Sequence, residues 1–226
     1  MSYIVYKDKN IVVVNKPVGV ASQPDESSTE NMMSIIRDEL ASFSESTELY
    51  VVHRLDLVVG GLLIYARNKK TAARLCALVG DGELGKEYLA IIEGECDGGR
   101  MSDYLLKIAA VKKSQVVDKG RSGAKLAELE YEKIESVNTE RGVRTLVKIR
   151  LFTGRFHQIR AQFSSRSLPL VGDGKYGSKD KTVRTPSLFA YKIDIPDELG
   201  NFTALPDTDA YPWNLFSEEA YERCVK

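Results

Sequence analysis

One acid in this chain sits among residues that would make its charge costly. In HRLDLVVGG, Asp56 has Leu55 before it and Leu57, Val58 and Val59 after it, and burial among them would raise its pKa unless a cation compensated. Arg54 is the nearest cation in sequence. In an extended backbone, residues two apart share a face, which would set Arg54 beside Asp56 and turn His53 and Leu55 the other way. Two uses fit such a carboxylate: a structural one, capping a turn and pairing with Arg54, and a chemical one, acting on a bound substrate. A second polar cluster is TGRFHQIR, Thr153 to Arg160. Read as a helix start capped by Thr153, it buries Phe156, Ile159 and Phe163 and sets His157 and Arg160 on an adjacent face. Its amides and Arg155 would then favour an anion, although a buried helical turn with solvated arginines fits the same residues.

The elements that must position these clusters follow from periodicity. Tyr3–Tyr6 and Ile11–Val14 predict an antiparallel hairpin around the polar KDKN. NKPVG then bends the chain, leaving Asn15 and Lys16 to face a groove or solvent. Ser27 with Glu30 makes a capping box, and the helix it opens runs to Phe43 with Met32, Met33, Ile36, Leu40 and Phe43 on its one apolar stripe. Gly60 and Gly61 allow a turn or a close backbone approach before a buried strand over Leu62–Ala66. Asn68 caps a helix running through Val79 that Gly80 stops. Lys86–Gly94 reads as a strand. Residues 98–123 are rich in glycine and lysine and predict turns and short strands, while Leu126–Ile134 and Arg144–Phe152 alternate as an antiparallel pair. The GDGKYG of Gly172–Gly177 is followed by no helix, so it predicts a β-turn with Gly174 or Gly177 at positive φ rather than a dinucleotide-binding loop.

Composition narrows the function classes. With 32 basic and 32 acidic residues the chain is neutral, which gives no support by itself to a nucleic-acid partner. The charge is uneven, however: 30 basic and 24 acidic residues precede Asp194, a surplus that permits an anionic partner. Cys76, Cys96 and Cys224 show no CxxC spacing, which argues against a disulfide framework and against a zinc site. No apolar run approaches the ~20 residues that span a bilayer, and MSYIVYKDKN has no signal-peptide core. A cytoplasmic protein with no membrane partner is expected.

Taken in order, NKPVG, HRLDLVVGGLL, KEYLAIIEG, TGRFHQIR and LVGDGKYG resemble the motifs of RNA pseudouridine synthases, specifically the RluA-like family. The resemblance runs from about residue 3 to about residue 195, and both histidines of the chain, His53 and His157, lie in matching motifs. It implies an α+β fold, a mixed and mostly antiparallel central sheet flanked by helices and loops with the active-site cleft across its middle. One catalytic domain over 1–226 is expected, a monomer with no separate N-terminal RNA-binding domain. The implied activity is isomerisation of specific uridines in ribosomal or transfer RNA to pseudouridine, without metal or cofactor. Asp56 would be the catalytic nucleophile, Tyr88 the aromatic residue packed on the target base and Arg160 the cation paired with Asp56. Arg54 would fill the space of the flipped nucleotide, with His53, Arg155 and His157 also on the substrate side. The family's usual Thr-Ser stands here as Val59-Gly60, and its usual histidine as Phe189. Those departures favour one competing reading, an RNA-binding relative that has kept the cleft without turnover.

Overall fold

A computed structural model describes residues 2–24, 30–196 and 200–225. In chain order the elements are β1 (Ile4–Lys7), β2 (Ile11–Lys16), α1 (Met32–Ser42), β3 (Tyr50–Val51), β4 (Gly60–Ala66), α2 (Lys69–Asp81), β5 (Gly85–Glu93), β6 (Gly98–Ile108), β7 (Lys113–Val117), β8 (Lys125–Thr139), β9 (Gly142–Leu151), α3 (Gln158–Ser165), β10 (Leu188–Ile195), β11 (Gly200–Thr203) and α4 (Glu218–Val225). They form an α+β fold, mixed as expected, in which the strands pair mostly antiparallel. The described residues divide into two compact units, Met1–Lys86 with Ala190–Pro206 and Glu87–Phe189 with Asp207–Lys226. None of the described helices is long and apolar enough to cross a membrane.

In the first unit the strand order is β1-β2-β4-β10, with β3 on β4 and β11 on β10. The expected hairpin of β1 and β2 is present, with Ile4 opposite Val14 and Lys7 opposite Val12. β2 and β4 read as apolar runs because both of their faces are covered, and Ile11, Val13, Leu62 and Ile64 join Leu75 of α2 and Ile193 and Ile195 of β10 in one core. Gly61 carries a positive φ, and a Cβ there would lie 2.3 Å from the Ala190 carbonyl oxygen. The close backbone approach expected of the Gly60-Gly61 pair is therefore at Gly61, against β10.

Both helices of this unit begin on asparagine. Asn68 caps α2 by accepting from the Thr71 amide, as expected, but the helix continues through Gly80 and stops two residues later, at Gly82 in the left-handed conformation. The capping-box serine, Ser27, lies outside the described residues. α1 starts at Met32, where Asn31 and Ser34 cap each other reciprocally. Met32, Met33, Ile36 and Leu40 are buried as expected, while Phe43 is exposed with Lys7 over its ring.

The second unit is ordered β5-β9-β8-β6-β7. The expected pairing of the two alternating segments is realised by β8 and β9, which extend to a tight turn between Thr139 and Gly142. Residues 98–123, expected as turns and short strands, instead supply the eleven-residue β6 and five-residue β7. Their glycines and lysines hide the alternation, but β8 offers β6 a full partner edge, from Gly98 opposite Glu132 to Leu105 opposite Lys125. Long-range pairing overrides local propensity here.

Candidate active site

In the first unit Asp56 lies in an irregular segment between β3 and β4, so the extended pairing with Arg54 does not occur as a strand register. Arg54 is exposed and Asp56 half-buried. The apolar surroundings are also thinner than the sequence suggests: Leu55 and Val59 are buried, but Leu57 is 49% exposed.

What holds Asp56 is backbone stitching. Its carbonyl accepts from the Val59 amide at 3.0 Å, closing a turn, and the Leu57 carbonyl accepts from the Gly19 amide at 2.8 Å. Ser22 bridges Leu55 in both directions, its Oγ donating to the Leu55 carbonyl at 2.9 Å and receiving the Leu55 amide at 3.1 Å. Tyr65 of β4 in turn donates to the Ser22 carbonyl. The bend that follows β2 is thus the cradle of the Asp56 turn, and Lys16 lies inside it. NKPVG was expected to leave Lys16 facing a groove or solvent; its side chain is fully buried, which sequence pattern alone could not show.

His53 accepts from the Ile64 amide at Nε2, 3.3 Å away, which places its proton on Nδ1. Burial, and then the charge of Lys86, push its pKa down to about 3.

In the second unit Tyr88 is buried on β5, opposite Ile149 of β9. The helix expected from Thr153 begins only at Gln158. His157 precedes it in the left-handed conformation, at φ 52°, and provides no side-chain cap. Thr153 is engaged elsewhere, receiving the Glu128 amide at 2.8 Å and donating to Gln158 Oε1 at 2.8 Å. Gln158 Oε1 also takes the Arg155 amide, while Arg155 donates through Nε to the Leu126 carbonyl and keeps its side chain at the surface. Phe156, expected to be buried with Ile159 and Phe163, is instead 36% exposed. It stacks on His157 with ring centroids 3.8 Å apart and has Lys107 over its ring.

His157 Nδ1 is 3.0 Å from the Tyr176 hydroxyl, which receives the Ser114 amide at 2.7 Å. The contact ties the His157 ring to Tyr176 in either tautomer. Burial first, then Arg160, Lys175, Lys107 and Lys113, drive the pKa of His157 down to about 3. Both histidines are held neutral across the pH range in which a free imidazole titrates.

Arg160, in the first turn of α3, is 4% exposed, and Asp173 is 1% exposed. Its Nε and Nη2 donate to the two carboxylate oxygens of Asp173 at 2.6 and 2.9 Å, and its guanidinium lies 4.9 Å from the centre of the Tyr176 ring. In-plane and from its face, the orientation of Arg160 is set. Asp173 belongs to LVGDGKYG, which the sequence marks only as a turn. Gly177 does take positive φ, together with Gly172, while Gly174 opens a short 3-10 turn. Among the described residues no cluster of three His, Cys, Asp or Glu side chains is placed to hold a metal ion.

The neutral histidines have a measurable consequence. A group whose charged form is disfavoured in the fold binds its proton more readily when unfolded, so stability is lost as pH falls below the free value. For His53 and His157 this window runs from 6.5 down to about 3. Thermal melting is expected to decline progressively through that window, with less decline in His53→Gln and His157→Gln. A flat melting temperature from pH 6.5 to 4, identical in both variants, would contradict the assignment.

The sequence model of the RNA pseudouridylate synthase family matches residues 10–165. A ribosomal large subunit pseudouridine synthase D of Borreliella burgdorferi is 30% identical over 202 residues, 85% of this chain and 60% of the relative. A tRNA pseudouridine synthase C of Pasteurella multocida is 29% identical over 184 residues, 77% of this chain and 74% of the relative. Among solved structures, human RNA pseudouridylate synthase domain containing 4 superposes with a TM-score of 0.75 at 20% identity, covering 98% of this chain and 92% of that one.

Proposed function

The chain belongs to the RNA pseudouridylate synthase family, and from that premise we propose that it isomerises uridines in structured RNA, ribosomal or transfer, to pseudouridine, with Asp56 as nucleophile. The observation that carries the proposal is the stitched turn of residues 55–59, which presents one half-buried carboxylate from a rigid cradle. Isomerisation breaks the bond between N1 and C1′, turns the base and joins C5 to C1′, while the C5 proton leaves and N1 gains one. A single carboxylate can mediate this by adding to C1′ or to the base. The base must leave its stack to be reached, which calls for an aromatic platform and a residue to occupy its place. Tyr88 is assigned the first task and Arg54, exposed, the second. His53, neutral, lines the substrate side. Arg155 and His157 are assigned RNA contacts, and Arg160 is assigned the role of the cation that favours the charged nucleophile.

The test is to map pseudouridine in cellular RNA with and without this protein. Loss of modification at defined uridines, restored by the wild-type chain, is the expected result. RNA recovered with the protein but carrying an unchanged pseudouridine map would identify a binder instead.

A further inference from the structure

Lys16 is the most deeply enclosed cation of the first unit, with no exposed surface. Its Nζ donates to the carbonyls of Pro17 at 2.9 Å and Val20 at 2.8 Å, and reaches that of Leu57 at 3.5 Å. Carbonyl dipoles satisfy N–H bonds without cancelling a full charge, and an ammonium out of water requires more than dipoles. The Leu57 carbonyl belongs to the residue that follows Asp56. Burial brings the pKa of Lys16 down to about 8, and the charge of Asp56 acts in the opposite direction, keeping the ammonium protonated.

Under the function proposed above, on which this inference rests, Asp56 acts as a carboxylate, and a cation enclosed within its own unit favours that form.

We propose that Lys16 is a positioning residue for Asp56, whose buried ammonium ties the bend of residues 17–20 to the turn of residues 55–59 and supplies a positive charge that keeps the nucleophile ionised. The lysine touches neither base nor ribose; it acts through Asp56.

The test reads the carboxylate directly. Carbon-13 NMR of aspartate side chains, with the Asp56 signal identified by its absence in Asp56→Asn, is titrated in the wild-type chain, in Lys16→Met and in Lys16→Arg. The Asp56 midpoint is expected to rise by about one to three pH units in Lys16→Met, the usual effect of a close opposite charge, and to rise less in Lys16→Arg. A folded Lys16→Met with its Asp56 midpoint unmoved overturns the proposal. If Lys16→Met loses cooperative melting, the reciprocal measurement decides. Coupling is symmetric, so Asp56→Asn must lower the midpoint of the Lys16 amine, and an unmoved amine overturns the proposal equally. With active enzyme, the acid limb of kcat in Lys16→Met should follow the NMR midpoint upward while KM stays within a few fold. A purely structural lysine would lower melting and leave both midpoint and limb in place. Absence of any pseudouridine formation by the wild-type chain would defeat the function proposed above, and the NMR shift would still judge Lys16.

Discussion

Asp56→Asn is expected to bring pseudouridine formation below detection while RNA affinity stays within a few fold. Where a covalent nucleophile has been removed from a dissected enzyme, the loss in kcat is on the order of 10^6. The substitution is nearly isosteric, and the turn it sits in is closed by the backbone bond from Val59 to the residue 56 carbonyl, which asparagine keeps. Affinity for RNA comes chiefly from phosphate contacts, and Arg54, Arg155 and the lysines remain. Single-turnover assays on the mapped RNA, with filter binding at fixed salt, separate the two effects. Turnover within tenfold of the wild type would remove Asp56 from the chemistry.

Arg160→Leu is expected to fail first as a folding variant. Arg160 and Asp173 form a two-point pair with side chains 5% and 1% exposed, and deleting one partner of a buried pair costs about 3–5 kcal/mol because the other is stranded. A chain of this size has a net stability of roughly 5–15 kcal/mol, so the single variant consumes a large share of it. The double variant Arg160→Leu with Asp173→Leu should recover much of the loss, since neither member of the pair is left stranded. Urea unfolding of both singles and the double measures the coupling. The recovered double variant is also the proper background for asking what Arg160 does in turnover, because its activity defect is then separated from unfolding. Additive losses, with no recovery in the double, would show that the pair contributes little and that each residue is held by other contacts.

Much of the fold was legible locally. The N-terminal hairpin, the Asn68 cap, the strand at Lys86–Gly94 and the β8–β9 pair each follow from a pattern a few residues long, and each is present. The features that escaped depend on distant partners. β6 is a strand because β8 lies beside it, not because GGRMSDYLLKI alternates well. Thr153 is a sound capping residue by type, yet Glu128 and Gln158 engage it, and the helix starts five residues later. The acids and cations of the candidate site were recognisable as types, but the pairing of Arg160 with Asp173 was not. Asp173 sits thirteen residues beyond Arg160 in a stretch that signals only a turn. Lys16, in a polar-looking NKPVG, is drawn inward by carbonyls of a bend whose shape no periodicity encodes.

The first unit takes its strands from two distant parts of the chain. β4 ends at Ala66, but its neighbour β10, with Ile193 and Ile195 of the shared core, closes at Ile195. During synthesis, at about 5–20 residues per second, the interval between making these two strands is on the order of ten seconds. Through that interval the edge of β4 that will receive β10 is unpaired, and Gly61, which later admits the Ala190 backbone, offers no side chain to blunt it. The Asp56 turn precedes this edge in sequence and is therefore translated before it. Completion of its sheet waits for the much later β10, and that delay is a window in which a nascent-chain binding factor could protect the edge.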